Sequence, residues 1–214
     1  MRLVTELRHT YRMHATDRRN QLLESALEVF SRRGFEGATT KEIAAAANVT
    51  EAVIFRHFPN KQSLYEAVLQ HRVQCAPTQQ WLDEAKAVME RGDDEGLFRL
   101  IARTVIAGYR NDPRGQKLTL FAALEGHEPG LAHYRAVTAP IFEFLRDYVE
   151  RRQREGALAD IPVGAILLAI SGMATQFALM TQMFGFDCDV PDDVMAEAFT
   201  QIMIRGAKPA LARA

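Results

Sequence analysis

Residues 39–61 read TTKEIAAAANVTEAVIFRHFPNK, and the punctuation inside this stretch decides how the chain folds. Thr39 followed three residues later by Glu42 is a capping box, with Thr39 as the N-cap and the Glu42 carboxylate reaching back to it. A short alanine-rich helix follows, Lys41 to Ala47. Asn48 and Val49 make a tight turn, and Thr50 is placed to cap a second helix, Glu51 to His57, which ends before Pro59. Two short helices joined by so small a turn are a helix-turn-helix candidate, although any compact helical hairpin gives the same pattern. The small residues Ala44 to Ala47 let the two helices cross closely. At about 100° per residue, Ile54 and Phe58 share a face and are the expected core anchors. The opposite face holds Ala52, Val53 and Arg56, with Phe55 and His57 on its flanks. In a recognition helix that outward face enters the major groove. There Arg56 can bond guanine O6 and N7, or else a phosphate, while Ala52 and Val53 suit thymine methyls.

On either side of this stretch the pattern stays helical. Apolar residues recur at three-to-four spacing in Leu22, Leu23, Ala26, Leu27 and Phe30, in Ile101, Val105 and Ile106, and in Phe142, Leu145 and Val149. Strand-like alternation is nearly absent, and no Asn-Gly or Asp-Gly hairpin turn occurs. Breakers fall at Gly34 to Gly37, Phe58 to Asn60, Pro77, Gly92, Asp112-Pro113, Pro129-Gly130, Gly156 and Gly185 to Pro191. The expectation is an all-α fold of about ten helices, three short ones before residue 60 and longer ones after. No internal repeat or low-complexity tract is visible.

The chain of 214 residues carries 26 Lys/Arg against 27 Asp/Glu, a formal charge of -1, which taken alone argues against a strongly basic nucleic-acid binder. The charge is not evenly spread. Residues 1–75 hold 11 Lys/Arg and 8 Asp/Glu, a formal +3, whereas the remainder holds 15 and 19, a formal -4. That split is either chance or a weakly basic binding module on an acidic body. Cys75 and Cys188 cannot make a disulfide framework, and thiols in a reducing cytoplasm are the simple reading. Residues 1–16 carry Arg2, Arg8 and Arg12 but no apolar run of the kind a signal peptide needs. Residues 161–184 are apolar enough to span a bilayer by length. Ser171, Thr175, Gln176 and Gln182 interrupt them, so a core helix is expected and no membrane partner.

The helix stripe from Arg19 ending in Gly34-Phe35, the Thr39-Thr40 pair, Ile43-Ala44, the run Phe55-Arg56-His57-Phe58 and Lys61 occur in register. In this the chain, between Arg19 and Lys61, resembles the TetR family of transcriptional regulators. The resemblance implies an N-terminal three-helix helix-turn-helix module over residues 17–62, preceded by an extension over 1–16. Residues 63–214 would form a larger helical domain for effector binding and dimerisation. It implies DNA contacts from Thr40, Lys41, Thr50, Phe55, His57 and Lys61, largely to phosphates. Glu51, Ala52, Val53 and Arg56 would read bases, with help from Lys41. Lys61 at a helix start sits where charge and N–H groups both favour an anion. Thr39 and Thr50 are alternatively caps alone, and His57 a packing residue. Glu51 either accepts from cytosine N4 or serves the helix dipole. The family usually has Tyr where this chain has Phe55, so one phenolic hydrogen bond to phosphate is lost.

The same resemblance implies a homodimer formed through late helices, about 140–154 and 161–184, on a palindromic double-stranded DNA operator. A small-molecule effector would release a repressor by favouring recognition helices no longer spaced for successive major grooves, about 34 Å apart. Within 161–184, Gly164, Ala165, Ala169, Gly172 and Ala174 permit close helix approach. The pocket candidates are Trp81, Arg103, Tyr109, Phe121, Glu125, Tyr134, Gln176 and Phe177. Gln176 and Thr175 stand out, because an amide buried in an apolar helix needs a partner. His71 with Cys75, and His127 and His133 near Glu125 and Glu128, make no complete zinc set, so no metal or other cofactor is expected. An all-helical enzyme or ligand carrier is the alternative class, and a helical protein-binding adaptor another. No Walker loop, nucleophile elbow, dinucleotide glycine pattern or His-Glu-x-x-His occurs, so enzyme activity is not expected.

Overall fold

The helix-turn-helix punctuation is realised closely. The computed structural model describes residues 15–207, and the arginines of the N-terminal extension, Arg2, Arg8 and Arg12, lie outside the described residues. Ten α-helices occur among the described residues, with no strand. The chain divides into two compact units within the fourth helix, between His71 and Arg72.

The first unit is built on α1 (Ala15–Gly37), α2 (Thr40–Ala46), α3 (Glu51–His57) and the start of α4 (Lys61–Cys75). The stripe Leu22, Leu23, Ala26, Leu27 and Phe30 is wholly buried. Ile43 and Ala44 of α2, Ile54 of α3 and Leu64, Tyr65 and Val68 of α4 are buried as well, and Phe30 meets Tyr65 edge-on with ring centroids 5.0 Å apart. Burying each of the larger side chains contributes roughly 1.5–3 kcal/mol. Against the expectation of three short helices before residue 60, α1 is 23 residues long. Its axis breaks at Gly34 (φ 72°, ψ −177°), a conformation that glycine alone adopts without strain. That break turns Phe35 onto the rings of Phe30 and Tyr65, at centroid distances of 6.2 and 5.2 Å.

The capping box is present in both directions at Thr39 and Glu42. Thr39 Oγ1 accepts from Glu42 N at 3.1 Å, and Glu42 Oε2 accepts from Thr39 N at 3.1 Å. The Thr39 hydroxyl also donates to the Glu42 carboxylate and holds its pKa below the usual 4.5. Asn48 makes the turn with φ 53°, a left-handed conformation that asparagine tolerates better than most residues. Gln21 Nε2 donates to the Ala47 carbonyl at 3.2 Å and ties α1 to the end of α2. α3 spans the predicted residues, but Thr50 makes no side-chain cap, so the capping expected of it fails. Asn60 caps α4 instead, accepting from Ser63 N at 2.8 Å.

The second unit contains α5 (Thr78–Glu90), α6 (Asp94–Asn111), α7 (Arg114–Glu125), α8 (Glu128–Arg154), α9 (Val163–Gln182) and α10 (Asp192–Ala207). α6 lies at its centre, packed on α5, α9 and α10. Leu97, Phe98, Ala102 and Ile106 of α6 join Tyr148 and Val149 of α8, Ile166, Ile170 and Ala174 of α9, and Ala196 and Ile204 of α10 in the core. Polar ties fix the packing. Asp94 accepts from Tyr148 Oη at 2.7 Å and from Arg152 at 2.8 and 3.0 Å. Burial first, and then this bond to Asp94, push the Tyr148 pKa well above the usual 10. Arg99 bridges Glu95 on its own helix to Glu197 on α10, both at 2.6 Å.

Two breaks differ from expectation. Pro129 and Gly130 lie inside the first turn of α8, where a proline's missing N–H costs nothing, and the connection falls at Gly126 (φ 62°) instead. Pro140 does not start a helix but sits inside α8.

Candidate nucleic-acid interface and ligand cavity

In α3 the burial of Ile54 and Phe58 leaves Ala52, Phe55 and Arg56 exposed, with Val53 and His57 half-buried at the margins. The helix therefore presents the predicted face to solvent. Lys41 at the start of α2 and Thr50 before α3 are also exposed. Thr50, without a capping bond, keeps its hydroxyl outside the helix.

Two predicted site residues are brought together in a way the sequence did not reveal. Thr40 Oγ1 donates to Glu51 Oε1 at 2.6 Å, linking the first residue of α2 to the first residue of α3. The Thr40 donor is thus committed to Glu51, and the Glu51 carboxylate is oriented by it. A further difference concerns Lys61. Its ammonium donates to the carbonyls of Phe35 (2.8 Å) and Ala38 (3.1 Å) and lies 4.5 Å from the Phe35 ring centroid. Two of its three N–H groups are therefore held inside the first unit, tying α4 to the α1–α2 connector. Arg19 stacks on Phe58, its Cζ 5.1 Å from the ring centroid, and covers the end of α3.

The second unit holds a cavity of about 330 Å³. Its walls come from the α4–α5 connector (Pro77), α5 (Trp81), α6 (Ile101, Thr104), α8 (Phe142) and α9 (Ser171), among others. Pro77 and Thr104 are exposed, so the cavity opens on that side. Of the eight predicted pocket residues, Trp81 alone lines it.

The others lie elsewhere. Arg103, Tyr134 and Gln176 are exposed, so Gln176 is not the buried amide its apolar helix suggested. Tyr109 is buried, and its pKa is raised first by that burial and secondarily by Tyr134 nearby. Phe121 and Glu125 are half-buried on α7. Phe177 packs edge-on against Phe199 of α10, with centroids 6.1 Å apart. The aliphatic lining residues carry no pocket signal in the sequence, because their helical spacing marks them only as buried.

α9 is long and apolar enough to cross a membrane by length and composition, yet only 28% of its apolar window is buried. Ile166, Leu167, Ile170, Ala174 and Ala178 form its buried side. Gly164, Ala165, Leu168, Ala169 and Gly172 form an exposed side. On α10, Val194, Ala198 and Ile202 are likewise exposed. Open apolar surface thus lies on α9 and α10, and also at Leu120 and Leu124 of α7 and at Phe184 and Phe186 after α9. No large hydrophobic residue of 140–154 is exposed.

Residues 22–68 match the model of the bacterial regulatory proteins of the tetR family. The chain is 50% identical over 57 residues to the uncharacterized HTH-type transcriptional regulator YvkB of Bacillus subtilis, a match covering 27% of this chain and 29% of YvkB. It is 28% identical over 147 residues to the HTH-type transcriptional repressor NicS of Pseudomonas putida, covering 66% of each. The match spans under a third of the length of YvkB and of the two next such relatives. The fold resembles the transcriptional regulator FadR from Bacillus subtilis, solved in complex with stearoyl-CoA. The TM-score is 0.63 at 14% identity over 87% of this chain and 98% of that one. The helix-turn-helix region of this chain, residues 22–68, is thus that of the TetR family.

Proposed function

We propose that the chain is a ligand-responsive DNA-binding transcriptional regulator, acting as a repressor that binds a palindromic operator as a homodimer. The observation that carries this is α3 itself, whose buried Ile54 and Phe58 leave Ala52, Phe55 and Arg56 outward beside Lys41 and Thr50. In this reading Lys41, Thr50 and His57 position the protein on phosphates, and Ala52, Val53 and Arg56 read bases. Glu51, held by Thr40, fixes the start of α3. The exposed apolar sides of α9 and α10 meet their copies across a two-fold axis, as closed dimers require. A small molecule in the cavity favours dimers whose α3 helices no longer match successive major grooves. The protein acts in the cytoplasm, where its DNA lies.

The test is fluorescence anisotropy on DNA from upstream of the protein's own gene, at several salt concentrations, with non-specific competitor. Wild type binds this DNA in preference to competitor. Arg56→Ala loses roughly 1–3 kcal/mol on that DNA and discriminates less between sequences. Wild-type affinity in the variant, or no preference in the wild type, overturns the assignment.

A further inference from the structure

The cavity is lined by uncharged side chains throughout. Among the described residues no Asp, Glu, Lys, Arg or His contributes to it. A charged ligand placed there loses hydration without gaining a counter-charge, which is a large cost. One polar group of a lining residue is nevertheless unmet. Trp81 Nε1 is buried and has no hydrogen-bond acceptor among the described residues, and a buried donor left unsatisfied is destabilising. The Ser171 hydroxyl does not meet it: Ser171 donates to the Leu167 carbonyl at 2.7 Å, and no hydrogen bond runs from Trp81 Nε1 to its oxygen. Water entering the cavity meets mostly carbon, since among the lining side chains only Thr78, Thr104 and Ser171 carry hydroxyls. The volume of about 330 Å³ suits a compact molecule on the order of ten to twenty non-hydrogen atoms.

We propose that this cavity takes a neutral, largely apolar molecule bearing a hydrogen-bond acceptor, a carbonyl or ether oxygen, which accepts from Trp81 Nε1–H. The assignment rests on the reading of the cavity as the effector site and adds the ligand's chemical class. It excludes carboxylates, phosphates and ammonium compounds as the group held within.

Three probes of one shape separate the possibilities: tetralone, tetralin and the tetralin carboxylate, titrated into the full-length protein by calorimetry. Tetralone binds wild type roughly fivefold or more tighter than tetralin, the return expected when an unmet buried donor gains an acceptor. The carboxylate binds roughly tenfold or more weaker than tetralone. Trp81→Phe keeps an aromatic wall and removes the donor, so it brings tetralone to within about twofold of tetralin. Its melting temperature verifies that it folds. Equal binding of tetralone and tetralin to wild type, a preference that survives Trp81→Phe, or tightest binding by the carboxylate each overturns the proposed ligand class and leaves the cavity as a binding site. Failure of all three probes to bind wild type overturns the cavity reading itself, and the ligand class with it. The wild-type comparison stands even if the variant does not fold.

Discussion

Lys61 shows how a residue's chemistry is decided by what its neighbours offer. Its position at a helix start suggests a phosphate contact, but two of its N–H groups satisfy the Phe35 and Ala38 carbonyls. Lys61→Ala is expected to destabilise the protein by about 1–3 kcal/mol, through carbonyls that lose charged donors, as read from the urea midpoint. With its donors committed inward, the slope of log affinity against log salt stays near the wild-type value. A slope reduced by about one with unchanged stability would instead assign Lys61 to a phosphate. Phe55 gives a complementary test. It is 47% exposed on the outward side of α3, so a hydroxyl added to its ring reaches solvent without repacking the core. Phe55→Tyr is expected to strengthen operator binding by up to about 1 kcal/mol, a typical net hydrogen bond, in an anisotropy titration at fixed salt. Binding that is unchanged or weaker counts against a phosphate beside that ring.

Among the elements, the α6–α7 junction concentrates charge in a way that sets acid stability. Asp112 accepts from the Arg114 side chain at 2.7 Å and the Arg72 side chain at 2.5 Å. Arg114 foremost, with Arg72 adding to it, holds the carboxyl well below its usual 3.8 despite partial burial. A carboxylate whose pKa is lowered on folding stabilises the fold fully above the unfolded value. That contribution is lost as pH falls toward the folded value. Wild type is therefore expected to lose stability progressively below about pH 4. Asp112→Asn should be less stable at neutral pH and show a shallower loss on acidification, measured as the urea midpoint against pH.

Legibility differed among the elements for physical reasons. The bounds of α3 were readable because local chemistry sets them, a turn at Asn48 before it and Pro59 after it. α8 was misread because Pro129 and Pro140 look like breaks. A proline in the first turn lacks only a donor that has no partner anyway, and a longer helix can carry one inside. The Thr40–Glu51 bond and the Lys61 carbonyl contacts link residues 11 to 26 positions apart. Their formation depends on how the helices pack, which periodicity does not encode. Trp81 is the one predicted pocket residue that lines the cavity, whereas Ile101 and Phe142 look the same in sequence whether they line a cavity or fill a core.

Over the whole molecule, the near-neutral total charge joins two parts, a formal +3 over residues 1–75 and -4 over the rest. On the proposed function, so small a basic excess leaves operator affinity to placed contacts and to the pairing of two modules. Leu168 on α9 is 63% exposed and Ile202 on α10 is 59% exposed. On a monomer, a substitution at so open a site changes stability by no more than about 0.5 kcal/mol. Leu168→Glu is therefore expected to leave the melting temperature of the isolated chain nearly unchanged while shifting sedimentation from dimer to monomer. Affinity for a palindromic site falls with it, and a variant that still sediments as a dimer removes α9 from the interface.

The position of Trp81 has an optical consequence. It is the chain's sole tryptophan and belongs to the second unit. Indole emission therefore reports on that unit alone, whereas far-ultraviolet dichroism sums the helices of both. A melt followed by the two signals tells whether the units lose structure in one step, because a single cooperative transition requires the curves to coincide. Any offset between them gives each unit its own transition temperature without cutting the chain.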